Sequence, residues 1–182
     1  MIYHFVVLSD EVDNFRREID IDAEATFQEL NDLLLKTCAY KKDLMTSFFV
    51  CDEFWEKKKE ITAVDMHDDP EKEPAPLMEH THLSDIISEK DAKNKLNLLF
   101  EFDIMCERYL YMQLKEVRDH EHLLQPVITL EKGKAPKQEV TLIPCSKISI
   151  QAICMAMIRS MMTNSTLTAI RTSKTLKAGD TK

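Results

Sequence analysis

Glycine is nearly missing from this 182-residue chain, which holds only Gly133 and Gly179. A phosphate-cradling loop needs several closely spaced glycines, so neither a P-loop nor a dinucleotide-binding turn can be built here. Nowhere do eighteen apolar residues run together, and that excludes a spanning helix. Cys38, Cys51, Cys106, Cys145 and Cys154 are odd in number and form no CxxC pair. They read as reduced, mostly buried thiols of a cytoplasmic protein. The opening MIYHFVVLSDEV lacks a basic start and a small-residue cleavage site, and reads as a first strand.

Positive charge is scarce over most of the chain. Residues 140–182 carry six Lys or Arg and one acid, which leaves 18 basic against 31 acidic residues in 1–139. An acidic body repels phosphate backbones, so residues 1–139 are not expected to bind nucleic acid. Charged residues at 31% and hydrophobic residues at 44% describe a soluble globular chain with enough length for one ordinary core.

The densest apolar run of residues 1–139 is Leu96–Val117, LNLLFEFDIMCERYLYMQLKEV. Leu98, Phe100 and Phe102 share one parity, and so do Leu110, Met112 and Leu114. A period of two predicts a hairpin with at least one buried face. The stretch Asp103–Arg108 has no Gly, which predicts a loop longer than a two-residue primed turn.

Around this hairpin, Ile2–Ser9 predicts a strand buried on both faces. Phe15, Arg17, Ile19 and Ile21 alternate with charged residues as its half-exposed partner. Thr26-Phe-Gln-Glu29 fits a capping box, and Phe27, Leu30, Leu33, Leu34 and Cys38 follow at helical spacing. Met45–Asp52 predicts a third strand, Ile61 marks a short fourth, and Pro126–Glu131 a last one. Thr62–His82 is an acidic connection with Pro70, Pro74 and Pro76, expected to be the most mobile part of residues 1–139. Leu83–Asn94 restarts helical periodicity through Leu83, Ile86 and Ile87. The fold class expected is α+β: an antiparallel sheet of about five to six strands covered by two main helices, followed by a poorly structured C-terminal tail.

Four stretches resemble the plasmid pRiA4b ORF-3-like family, also described as transposon passenger proteins. They are ATFQELNDLLLKTCAY (Ala25–Tyr40), LMTSFFVCDEFW (Leu44–Trp55), LNLLFEFD (Leu96–Asp103) and the closing segment Pro126–Pro136. Where the family pattern runs Phe-Gly-Asp, this chain has Ile104-Met105-Cys106, and Tyr109 stands near the family's Trp. The resemblance covers residues 1–139 and implies an antiparallel sheet under helices, with a mobile-element association. It carries over no catalytic residue and no cofactor.

The remaining candidates come from the residues themselves. His80-Thr-His82 and His120-Glu-His122 each place two imidazoles on one side of an extended segment, the arrangement a metal ion needs, with His67-Asp68-Asp69 close in sequence. Polar loops also collect His and acids for solubility alone. Cys51 ends an apolar strand beside Asp52 and Glu53, acids that oppose a thiolate, so it reads as a buried strand residue. Asp65, Asp68 and Asp69, or Glu101 and Asp103, offer paired carboxylates but read as solvated faces. Tyr109 and Tyr111 with Phe100 and Phe102 suit a sheet core better than a base-stacking platform. Phe54 and Trp55, beside Phe48, Phe49 and Lys57–Lys59, form the densest aromatic cluster and a candidate patch for a protein partner.

The domain division expected is 1–139 as the family-like domain and 140–182 as a basic tail with twelve Ser or Thr, with Ile148–Met162 as one short helix before disorder. A fused segment or a shifted reading frame near Val140 would each produce the break. The function expected is a non-enzymatic accessory or binding domain with an unidentified protein partner and no membrane contact. The alternatives are a metal-dependent enzyme using the His-x-His loops, and nucleic-acid contact through the basic tail.

Overall fold

A computed structural model describes residues 1–65, 74–88 and 96–138. The tail from residue 140, with Cys145, Cys154 and Ile148–Met162, lies outside the described residues, as do His67, Asp68 and Asp69. In chain order the elements are β1 (Ile2–Ser9), β2 (Arg16–Asp22), α1 (Phe27–Cys38), β3 (Ser47–Cys51), β4 (Lys57–Thr62), α2 (Leu83–Ile86), β5 (Asn97–Asp103), β6 (Arg108–Arg118) and β7 (Val127–Lys132).

The strands form one sheet in the order β4-β3-β5-β6-β1-β2-β7, every named pairing antiparallel. The apolar hairpin β5–β6 lies inside it, β5 against β3 and β6 against β1. Residues 104–107 join the two strands, and Glu107 takes the left-handed conformation a glycine would otherwise supply.

Strand parity splits the side chains between two faces. Phe5, Val7, Ile19, Phe48, Phe100 and Leu110 point to the side covered by α1 and are completely buried. Phe27 of α1 meets Phe48 edge-on at 5.3 Å between ring centres, and Phe48 meets Phe100 at 5.0 Å. Burial of this kind stabilises by roughly 1.5–3 kcal/mol per large side chain.

Helix α1 starts as its sequence requires. The Glu29 amide donates to the Thr26 hydroxyl at 3.2 Å, and the Thr26 amide donates to the Glu29 carboxylate at 2.8 Å. Its buried stripe is Phe27, Leu30, Asn31, Leu34, Leu35 and Cys38. Leu33 stands half-buried at the margin, and Ala39 ends the helix with φ 55°.

The expected α+β architecture is overturned. Seven strands are paired, and the described residues hold one helix of twelve residues and one of four in place of two main helices. Ile61 lies in β4, the fourth strand expected there, which runs six residues. Over the described part of Leu83–Asn94, the helix stops at Ile86, and Ile87 turns extended so that its side chain enters the core.

The connection ahead of α2 is docked in its described part. Thr62 bridges Leu77, Met78 is completely buried, and the Met78 and Thr81 carbonyls accept the Gln28 and Phe27 amides. Those amides have no partner within the helix, so this segment caps α1 from outside. Charge and proline content predict a mobile loop; its described end is held instead by the burial of Met78, and residues 66–73 of it lie outside the described residues.

Candidate functional site

On its other face the sheet carries no helix among the described residues, and the β3–β4 hairpin covers part of it with its own turn. Asp52 organises that turn. Its carboxylate accepts from the Phe54 amide at 2.8 Å and the Glu56 amide at 3.0 Å, and it pairs with Lys58 at 3.0 Å. Burial is the largest single influence and opposes the charge, but Lys58 and the two amides together hold the carboxyl below the usual Asp range. From beneath, the Asn97 amide donates to the Asp52 carbonyl at 3.0 Å, and Gln113 donates to Asn97 at 2.9 Å.

Trp55 adopts φ 67°, a left-handed conformation that costs a bulky residue about 1–3 kcal/mol. In return its indole stands edge-on over Tyr111 at 5.1 Å. The same turn leaves Phe54 outside, 63% exposed. Two sequence-adjacent aromatics therefore take opposite roles, Trp55 as anchor and Phe54 as an open apolar surface.

Lys57 crosses the face in the other direction. Its ammonium lies 3.9 Å above the Phe49 ring and 4.5 Å from the Tyr109 ring centre, and donates to the Tyr109 hydroxyl at 2.8 Å. Tyr109 is bonded in turn to Glu101. Burial pushes the Glu101 carboxyl above the ordinary Glu range, against the lowering effects of Tyr109 and the Lys57 charge. Burial, together with Glu101, raises the Tyr109 phenol as well. This group was not singled out by the sequence, although the Lys57, Glu101 and Tyr109 parities could have placed it.

Cys51, on the same face, is pushed up to about 12 by burial, so it holds no thiolate at neutral pH. Glu101 and Asp103 have separate partners, Tyr109 for the first, and Arg108 and the Cys106 amide for the second. Phe100 and Phe102 face the helix side while Tyr109 and Tyr111 face away, so the four rings make no common platform.

The histidine loops reach a common place. His82 Nδ1 donates to the Glu24 carbonyl at 2.6 Å, and His122 Nδ1 donates to the Asp22 carboxylate at 3.1 Å, at the end of β2 and the turn that follows it. His80 is exposed, and His120 sits in a left-handed turn at φ 62°. Among the described residues no group of three or more His, Cys, Asp or Glu could hold a metal ion. No helix of the described residues is long and apolar enough to cross a membrane.

No family model matches the chain, and no curated protein matches it. Among solved structures it is similar to a protein of unknown function, MM3350, from Methanosarcina mazei Go1. The two share 17% identity and a TM-score of 0.55, over 74% of this chain and 71% of that one. At that identity the likeness concerns the fold alone.

Proposed function

We propose that this chain is a non-enzymatic binding domain that meets a protein partner through the β3–β4 turn. The observation that carries the reading is Phe54, an aromatic side chain held open to solvent on a turn whose neighbour Trp55 accepts backbone strain to fix it there. Aromatic side chains held in place lose little freedom on association, which suits them as contact anchors. The same reading places the protein in the cytoplasm and, through its resemblance to the pRiA4b ORF-3-like family, among proteins associated with mobile elements.

The test is a photo-crosslinking amino acid at position 54, with position 105 as control, in cells that produce the protein. Met105 is 91% exposed, on the β5–β6 turn. A discrete protein adduct from position 54 that is absent from position 105 is expected. Identical adducts from both positions, or none from position 54, would overturn the reading.

A further inference from the structure

Among the described residues β4 lies at one edge of the sheet and is bonded along its length only to β3. In an antiparallel ladder, alternate residues turn both backbone polar groups away from the neighbour. Thr62 is turned outward: its amide donates to the Pro76 carbonyl at 3.0 Å, and its carbonyl accepts from the Met78 amide at 2.9 Å. The chain thus adds a short parallel segment to its own sheet edge at that one residue.

Two residues earlier, the same alternation turns Glu60 outward. Continuing the parallel pairing there would need an N–H from Pro76 to meet the Glu60 carbonyl, and proline has none. The edge is therefore left open at Glu60 among the described residues, the ladder to β3 shifts register at Lys58, and the exposed ring of Phe54 stands on the turn that leads into the strand. An open strand edge is a template for a further strand.

We infer that Lys58–Glu60 receives an extended, acidic segment of a partner protein as an additional strand. Charge selects the occupant. Asp52 and Glu56 already hold Lys58, and Lys57 lies on the Phe49 and Tyr109 rings. Lys59 is exposed and has no ion-pair partner among the described residues. A second copy paired antiparallel along this edge would set Lys59 against its own counterpart, whereas an acidic strand brings a carboxylate to Lys59. The inference rests on the reading of Phe54 as a contact surface, and adds the partner's conformation and charge.

The test uses the full chain and short fluorescein-labelled peptides of alternating Glu and Val, read by anisotropy at low salt. Saturable binding is expected. It should weaken at least about tenfold when Lys replaces Glu, when alternate peptide amides are methylated, or when the protein carries Lys59→Glu. The exposed Lys59 site should let that variant melt like the wild type. No saturable binding, or equal binding of the methylated peptide, would overturn the inference, as would a concentration-dependent dimer abolished by Lys59→Glu. Adducts from position 54 alongside failed peptide binding would remove the added strand and leave the contact patch. Missing adducts alongside methylation-sensitive binding would remove the patch and support the strand.

Discussion

The buried guanidinium of Arg17 donates to the Gly133 carbonyl at 3.1 Å, so a cation of β2 grips the backbone just past β7. The same side chain donates to the Lys132 carbonyl at 2.7 Å and to the Thr37 hydroxyl at 3.1 Å, and the Phe15 ring lies 4.6 Å away. Satisfying most of its donors on fixed acceptors is what makes burial of this Arg tolerable.

Gly133 cannot be exchanged at that position. Its φ is +70°, and a Cβ there would lie 2.2 Å from the Asn14 carbonyl oxygen. Gly133→Ala should cost about 2 kcal/mol or more, through strain and forced displacement of the β1–β2 loop. Urea midpoints of the two proteins measure it.

Phe54 and Trp55 should separate in stability. Phe54→Ala removes a ring that packs on little and should leave the folding free energy within about 0.5 kcal/mol of wild type. Trp55→Ala uncovers Tyr111 and should cost about 1–3 kcal/mol, although it keeps the backbone strain. Equal losses in the two variants would make Phe54 a packing residue.

Two carboxyls give opposite pH signatures. Asp20 is lowered: burial opposes this, but the hydrogen bonds from His4, at 2.6 Å, and from Arg118 outweigh it. Its stabilising contribution is present above the ordinary value of 3.8 and is lost as pH falls through the lower folded value. Glu101 is raised by burial, so stability declines as pH climbs from 4.5 toward its folded value. Asp20→Asn should flatten the acid limb of a stability profile, and Glu101→Gln the decline above it.

Thiol labelling offers a fourth check. Burial raises Cys38 and Cys51 to about 12 each. Iodoacetamide at neutral pH should alkylate them only at the rate of opening, and rapidly once urea unfolds the chain. Peptide mass spectrometry resolves the two sites.

The histidine loops are open to direct titration. Because no group of three or more His, Cys, Asp or Glu among the described residues could hold a metal ion, zinc should bind without a stoichiometric plateau in calorimetry. A one-to-one plateau lost in His82→Ala and His122→Ala would restore the metal reading.

Most of the sheet could be read from alternation, and α1 from its capping box, because both patterns are local. Leu98, Phe100 and Phe102 share a parity that their place in one core cluster confirms, and Thr26 with Glu29 makes the two bonds their spacing implies. The helical cover was overstated because Leu83, Ile86 and Ile87 fit a helix face equally well when a single turn ends and an extended residue follows. The docking of Leu77 and Met78 depends on a distant partner, Thr62, and on amides of α1 that no spacing rule reaches. At the candidate site, the aromatic density of Phe54 and Trp55 was visible, but their division into anchor and open surface was not. That division comes from one left-handed backbone angle at Trp55.

The place of β1 in the sheet bears on how the chain comes into being. Its neighbours are β2, which follows at once, and β6, which begins only at Arg108. During synthesis β1 can pair on one side as soon as β2 emerges, while its other edge stays bare until most of the domain has been made. Long-range pairing of this kind slows folding and prolongs exposure of an apolar strand edge. A nascent chain stalled or cut before Arg108 would keep that edge permanently unpaired, and would be a substrate for chaperones or for aggregation rather than a smaller folded domain.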